Sequence, residues 1–263
     1  MAFDNCVMDK QILYEKIRIA KAKRLLNNCY TPDVVEKADK LWPAGDEFVF
    51  TYGDHGINRL VFFAREWDSV NKLLELLDQG QYYLEFMTRN RDEYIPMGAN
   101  LRAAMMRFSN PDCRGVLAPG SLVAPYKDSA VVEAAKESDA EEINELLWSI
   151  FHTEVSHLST DDEMREKIRA EQVSVHRNEH GDIDALLQAE VRPKRFYINQ
   201  IVNKTERQVI HAILLKRLEK YIEEGGRYLY AWVEAQNIAS LKFHEKYGLK
   251  HDGMWSMIYS VKR

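Results

Sequence analysis

A chain of 263 residues, 46% hydrophobic and 29% charged, with 7 prolines and 12 glycines, has a globular composition and room for one large domain or two ordinary ones. A net charge of −5 provides no field that would draw the molecule to nucleic acid or an anionic membrane. No apolar run approaches the roughly 20 residues that span a bilayer, the first residues lack a signal-peptide core, and three scattered cysteines (Cys6, Cys29, Cys113) argue against a disulfide framework or a zinc site.

A cytoplasmic location is therefore expected. In chain order, residues 9–28 read as a basic amphipathic helix with Ile12, Leu13, Ile17, Ile19, Ala20, Leu25 and Leu26 on its apolar side. Its basic residues suit the solvated face of a docked helix better than a membrane surface. Thr31-Pro32-Asp33 opens a second helix, with a capping residue and then proline. Residues 48–52, the turn Gly53-Asp54-His55-Gly56 and residues 57–64 predict a β-hairpin. Residues 68–78 predict a helix, 82–88 a strand, and 100–108 lean to strand. This makes a small β-β-α-β(-β) domain, in which Asn58-Arg59-Leu60 and Arg89-Asn90-Arg91 read as surface and turn groups. Residues 110–129 hold three of the seven prolines and read as a linker, which places a domain boundary at residue 120.

The second half begins with a predicted strand over 130–135. Ser138-Asp139-Ala140-Glu141 and Thr160-Asp161-Asp162-Glu163 are capping boxes that open two helices, the first with Ile143, Leu146, Leu147, Ile150 and Phe151 on one face. Strands follow over 173–177, 183–191 and 196–202. A long helix over 206–224 carries a stripe of Val209, Ile210, Ile213, Leu214, Leu218, Tyr221 and Ile222 and stops at Gly225-Gly226. A buried strand (228–233), a helix (238–247) capped by Asn237 and stopped by Gly248, and a strand over 257–261 complete the order β-α-α-β-β-β-α-β-α-β.

Asn237, Ser240, Phe243, His244, Glu245, Lys246, Gly248 and Leu249, at this spacing, resemble the final strand–helix signature of the GNAT acyltransferase superfamily, and the element order over 130–263 is similar to that fold. His244 sits where the family usually has Tyr, and Leu249 replaces its terminal Phe. The resemblance implies an α/β (α+β mixed sheet) protein. Residues 121–263 would form a GNAT-like acyl-CoA N-acyltransferase domain, and residues 1–120 a smaller α/β domain that is a degenerate, partial copy in tandem.

The resemblance also implies a site. The pantetheine arm of acetyl-CoA, or another acyl-CoA, would lie between strands 196–202 and 228–233. A backbone N–H near Ile201 or Val202 would polarise the thioester carbonyl, and His244 would return a proton to the leaving thiolate. Asn237 and Ser240 count with the donor-binding residues, Asn237 doubling as a helix cap. The family's pyrophosphate pattern, Arg/Gln-x-x-Gly-x-Gly/Ala, aligns with Arg207, Gln208, Val209, Ile210, His211 and Ala212, so isoleucine takes the place of the central glycine. Thr205-Glu206-Arg207-Gln208 reads as a capping box that would give two helix amides to side chains instead of phosphate.

Read by itself, a histidine on a half-apolar helix face is a structural group, and both readings of His244 stay open. Asn199 and Gln200 offer amides where many relatives carry a glutamate base, and Glu190 is a weaker candidate base or a surface ion-pair member. His152-Thr153-Glu154-Val155-Ser156-His157 lacks the His-Glu-x-x-His spacing of a metal helix, and no metal is expected. Trp148, His152, His157 and Gln200 are the candidate acceptor-site residues. The expected activity is acyl transfer, acetyl foremost, to an amine of a small molecule. The alternatives are an acyl carrier protein as donor and an inactive GNAT-fold binding module. No nucleic-acid or membrane partner is expected, and pairing of two copies stays open.

Overall fold

The computed structural model describes residues 8–28 and 31–263, apart from the side chain of Arg207. In chain order the elements are α1 (Lys10–Ala22), β1 (Leu26–Asn27), α2 (Pro32–Glu36), β2 (Ala38–Ala44), β3 (Glu47–Asp54), β4 (Ile57–Ala64), α3 (Trp67–Glu75), β5 (Gln81–Thr88) and β6 (Ala99–Asn110). Then come β7 (Glu133–Ala134), α4 (Ala140–Trp148), α5 (Asp161–Arg169), β8 (Val173–Arg177), β9 (Ile183–Arg192), β10 (Arg195–Asn203), α6 (Arg207–Glu223), β11 (Leu229–Glu234), α7 (Ile238–Glu245) and β12 (Lys250–Lys262). The chain is mixed α/β, as expected. No helix among the described residues is long and apolar enough to cross a membrane.

The chain forms two compact units. One runs to Ala104 and takes in Thr153–His157 and Met254–Arg263; the other comprises Met105–His152 and Leu158–Gly253. The units therefore part at Ala104 rather than at residue 120, and the last strand counts with the first unit.

In the N-terminal unit the strand order is β2-β3-β4-β5-β12, with β1 beside β4. The β3–β4 hairpin turns at His55 (φ 51°) and Gly56 (φ 80°), the two left-handed residues that such a tight turn needs. Val49, Leu60, Phe62, Leu84 and Phe86 pack with Val70 and Leu73 of α3 and with Met257, Tyr259 and Val261 of β12. Leu13 and Ile17 of α1 cover Phe48, Phe50 and Phe63. The predicted 9–28 helix is cut short: α1 ends at Ala22, Arg24 takes φ 55°, and the chain turns into β1. Strand β2 was not legible, because Asp39-Lys40-Leu41-Trp42-Pro43 has no period-two pattern; its proline is tolerated on an edge strand.

In the C-terminal unit the order is β6-β11-β10-β9-β8-β7. Helix α6 covers one face through Val209, Ile210, Ile213 and Leu214, against Leu187, Ile198, Ala231 and Val233. Helices α4 and α5 cover the other through Ile143, Leu147, Met164 and Ile168, against Val175, Leu186 and Val202. The expected linker is part of this core: Cys113, Val116 and Val123 are buried in it, and Cys113 N–H donates to Arg227 O at 2.8 Å. Its prolines punctuate short 3₁₀ turns instead of loosening the chain. The Thr160–Glu163 capping box forms, with bonds of 3.2 and 3.0 Å. The Ser138 box does not; Asp139 accepts from Lys136 N–H instead.

Strands β6 and β12 are exchanged along the chain. β6 follows β5 in sequence, but from Met105 to Asn110 it pairs with β11; β12 follows α7 but pairs with β5 from Trp255 to Lys262.

Candidate functional site

Strands β10 and β11 run parallel and pair only at Phe196↔Leu229, Tyr197↔Tyr230 and Ile198↔Ala231, although the strands continue to Asn203 and Glu234. Each keeps its outer neighbour over the rest of its length, β10 on β9 and β11 on β6, so only the inner ladder opens. The cause is local. The β10–β9 register shifts between Ile198 and Gln200, which makes Asn199 a bulged residue. A bulge bends its strand and reverses which amides face which neighbour beyond it.

The ladder fixes that parity. Ala189 N–H donates to Gln172 O on the β8 side, so Leu187 and Ala185 face β8 as well, and Gln188 and Leu186 face β10. Gln200 and Val202, opposite Gln188 and Leu186, therefore spend their backbone groups on β9. Ile201 turns its N–H toward β11, past the point where that ladder has ended. Of the two amides named from the sequence, that of Ile201 faces the opening and that of Val202 faces β9.

Helix α6 opens beside this gap in the chain. Its N-cap is Glu206, not Thr205, and Glu206 makes no side-chain cap hydrogen bond. The predicted capping box is absent because Gln208 Nε2 bonds sideways to the Glu206 carboxylate. Val209 N–H bonds Glu206 O at 3.1 Å, so the Arg207 and Gln208 amides head the helix uncapped by side chains. The side chain of Arg207 lies outside the described residues. Val209, Ile210 and Ala212 are buried, with the Ile210 side chain inside the hydrophobic cluster beneath the helix.

His211 is buried in an aromatic box of Tyr126, Phe243 and Tyr247, and its Nδ1 is hydrogen-bonded to the Tyr247 hydroxyl at 2.7 Å. Burial, helped by nearby Lys246, pushes its pKa down to about 4, so it is a neutral packing group.

Helix α7 is capped as expected: Asn237 Oδ1 accepts from Ser240 N–H at 3.0 Å. One turn on, His244 is 4% exposed and its Nδ1 lies 2.7 Å from Ser240 O. A carbonyl can only accept, so Nδ1 carries the hydrogen and Nε2 a lone pair. That Nε2 is buried with no hydrogen-bond partner among the described residues. Burial lowers the pKa of His244, and the Ser240 bond offsets only part of the effect. At neutral pH the side chain is therefore uncharged, with Nε2 able to accept a hydrogen bond and without the proton expected of a general acid there.

No protein-family model matches the chain, and no curated protein matches it. Solved structures do match. An acetyltransferase of the GNAT family from Colwellia psychrerythraea is similar at a TM-score of 0.53 and 8% identity, covering 99% of this chain and 100% of its own. A GCN5-related N-acetyltransferase from Sphaerobacter thermophilus gives 0.56 at 11% identity, over 82% of this chain and 76% of that one. A tandem GNAT protein from the clavulanic acid biosynthesis pathway gives 0.53 at 13% identity, over 84% and 81%. The chain has the GNAT fold. The GNAT resemblance read from Asn237 to Leu249 thus holds at the level of architecture.

Among the other expected GNAT-site residues, Trp148 ends α4 half-exposed, His152 is exposed, and Gln200 is buried on β10. Glu190 is ion-paired with Arg192 and Arg195, which leaves it poorly suited to act as a base. Among the described residues no group of three or more His, Cys, Asp or Glu side chains could hold a metal.

His157 belongs to the N-terminal unit. Its Nδ1 lies 3.1 Å from Asp54 Oδ2 and its Nε2 3.2 Å from Glu85 Oε2. Asp54 also pairs with Arg59, and Glu85 accepts from Ser256 Oγ at 2.5 Å. Arg59 is not a surface group as expected: it is 3% exposed, and its Nη2 donates to Thr153 O at 3.0 Å. Burial pulls the His157 pKa down, but the two carboxylate hydrogen bonds outweigh it and lift it from 6.5 to about 9. A pKa raised on folding stabilises fully below the unfolded value and loses that contribution as pH rises through the folded one. His157→Ala is therefore expected to cost about 1 kcal/mol at pH 6, discounted for the half-exposed ring, and less at pH 10. Urea unfolding at the two pH values measures this; an equal cost at both would rule out the charged clamp.

Proposed function

We propose that the chain is an N-acyltransferase that takes its acyl group from acyl-CoA, acetyl-CoA foremost, and passes it directly to an amine of a small molecule in the C-terminal unit. The observation that carries this reading is the β10–β11 ladder that stops at Ile198/Ala231 while both strands run on, with the Ile201 N–H turned into the opening. A thioester arm fits such a gap: it is narrow, linear and rich in amide groups. The Ile201 N–H is suited to the thioester oxygen, whose charge grows as the amine attacks. The uncapped first amides of α6 suit the diphosphate, with the buried Ile210 side chain out of their way and Glu206 as the unfavourable charge.

Asn199 and Gln200 do not take up protons and Glu190 is paired, so on this reading the amine must arrive neutral. As the C–N bond forms and the C–S bond breaks, the amine sheds its proton to water. The thiolate leaves without a protein acid, since the His244 Nδ1 hydrogen is held by Ser240 O and Nε2 is unprotonated. Turnover should therefore rise with pH through the pKa of the acceptor amine, with no falling limb between pH 6.5 and 8 of the kind that a histidine acid would impose. His244→Ala should lower kcat/KM by less than the ~10²-fold expected from loss of a general acid. A falling limb that disappears in His244→Ala would restore the acid.

Isothermal titration with acetyl-CoA tests the donor: binding is expected, and no heat at millimolar ligand would overturn the reading. The Ile210 substitution favours one further donor, an acyl carrier protein, whose arm ends in a single phosphate. Faster transfer from an acylated carrier than from acetyl-CoA would select it.

A further inference from the structure

We infer that the N-terminal unit contains a second crevice of the same design and that the chain fills it with its own peptide, so that Asn28 is a built-in ligand and each chain takes one donor, not two. The donor count rests on the reading above; the filled crevice does not.

The parallel is visible in the ladders. Strands β4 and β5 are joined by α3, as β10 and β11 are by α6. They run parallel and pair only at Asn58↔Tyr82, Arg59↔Tyr83 and Leu60↔Leu84, while the strands continue to Ala64 and Thr88. Each keeps its outer neighbour beyond that point, β4 on β3 and β5 on β12. The opening should leave Leu60 O and Phe62 N–H on one wall and Glu85 O on the other without ladder partners.

All three are taken by one side chain. Asn28 is 3% exposed. Its Oδ1 accepts from Phe62 N–H at 2.8 Å, and its Nδ2 donates to Leu60 O at 2.8 Å and Glu85 O at 2.9 Å. A carboxamide has two donors and an acceptor, and here each is used across the gap. The residues before it extend the seal, since Leu26 and Asn27 pair with Ala64 and Phe63 as strand β1. A pantetheine arm offers the same amide chemistry, so it would have to displace three buried hydrogen bonds and a strand to enter.

The start of α3 points the same way. Its N-cap is Glu66 and its first turn holds Asp68, two carboxylates at the end where a helix favours anions. The neighbouring Arg65 is shared with Asp46 at 3.9 Å. A diphosphate would meet net negative charge there.

Hydrogen exchange on the full chain reads the plug directly. In the wild type the Phe62 amide is expected to exchange as slowly as that of Val61, which faces β3. In Asn28→Ala it should exchange at least 100-fold faster than Val61 in the same variant. A wild-type Phe62 amide that exchanges like a free one overturns the inference, and that arm decides alone if Asn28→Ala does not fold. Titration with coenzyme A should give one site per chain, and two sites per chain would overturn the inference. If coenzyme A does not bind at all, the donor reading fails while the Phe62 rate still decides on the plug.

Discussion

A chain cut after Gly253 is expected to lose the fold of its N-terminal unit. The ten missing residues include the Trp255–Lys262 ladder on β5 and three side chains, Met257, Tyr259 and Val261, that are 1%, 3% and 2% exposed. They sit in one cluster with Leu60, Leu84 and Phe86, and the Tyr259 ring stacks on Phe86 at 5.8 Å. Burying each such side chain contributes about 2 kcal/mol, so the three together are worth about 6 kcal/mol before any ladder bond is counted. That is comparable with the 5–15 kcal/mol by which ordinary domains are stable. The C-terminal unit loses none of the residues of its hydrophobic clusters. Limited trypsin digestion should therefore cleave the truncated chain throughout residues 8–104 and spare the remainder. Equal resistance of both halves would contradict the exchange of strands. Separate fragments 1–120 and 121–263 should fare no better, because the second lacks Phe108, Cys113 and Val116 from its core.

Ile201→Pro should abolish most transfer while leaving the protein folded. Proline removes one N–H, and at position 201 that N–H faces the opening rather than β9. Loss of an oxyanion donor lowers turnover by about 10²–10³-fold, so kcat with acetyl-CoA should fall by that amount with a small shift in Tm. Val202→Pro is the contrast: its N–H faces β9, so the variant should lose about 3 kcal/mol of stability. Unimpaired turnover in a folded Ile201→Pro would remove the Ile201 amide from the reaction. Greater destabilisation by Ile201→Pro than by Val202→Pro would reverse the parity assigned to β10.

The sequence carried the parts of this architecture that depend on neighbours in the chain. The α6 stripe, the Asn237 cap, the Thr160 box and the hairpin around His55-Gly56 are all set by residues a turn or less apart. The features that define the site depend on partners far away. The Asn199 bulge exists only relative to Ala189 and Gln188, and the string Arg195 to Asn203 alternates in burial as an unbroken strand would. Arg59 and His157 read as surface and acceptor groups because their partners, Asp54, Thr153 and Glu85, come from other segments. Asn28 was hidden inside a predicted helix, since nothing between Lys23 and Asn28 marks the turn at Arg24. The Thr205 box failed by one residue, which a side chain as flexible as that of Gln208 decides.

The crossed order of β6 and β12 also bears on how the protein is made. During synthesis β5 leaves the ribosome long before β12, at ~5–20 residues per second, so its outer edge waits on the order of ten seconds or more for a partner. An unpaired strand rich in Tyr, Leu and Phe is an aggregation hazard over such an interval. The half translated first is thus the half completed last, and its yield in a cell should depend on chaperones that shield nascent strands.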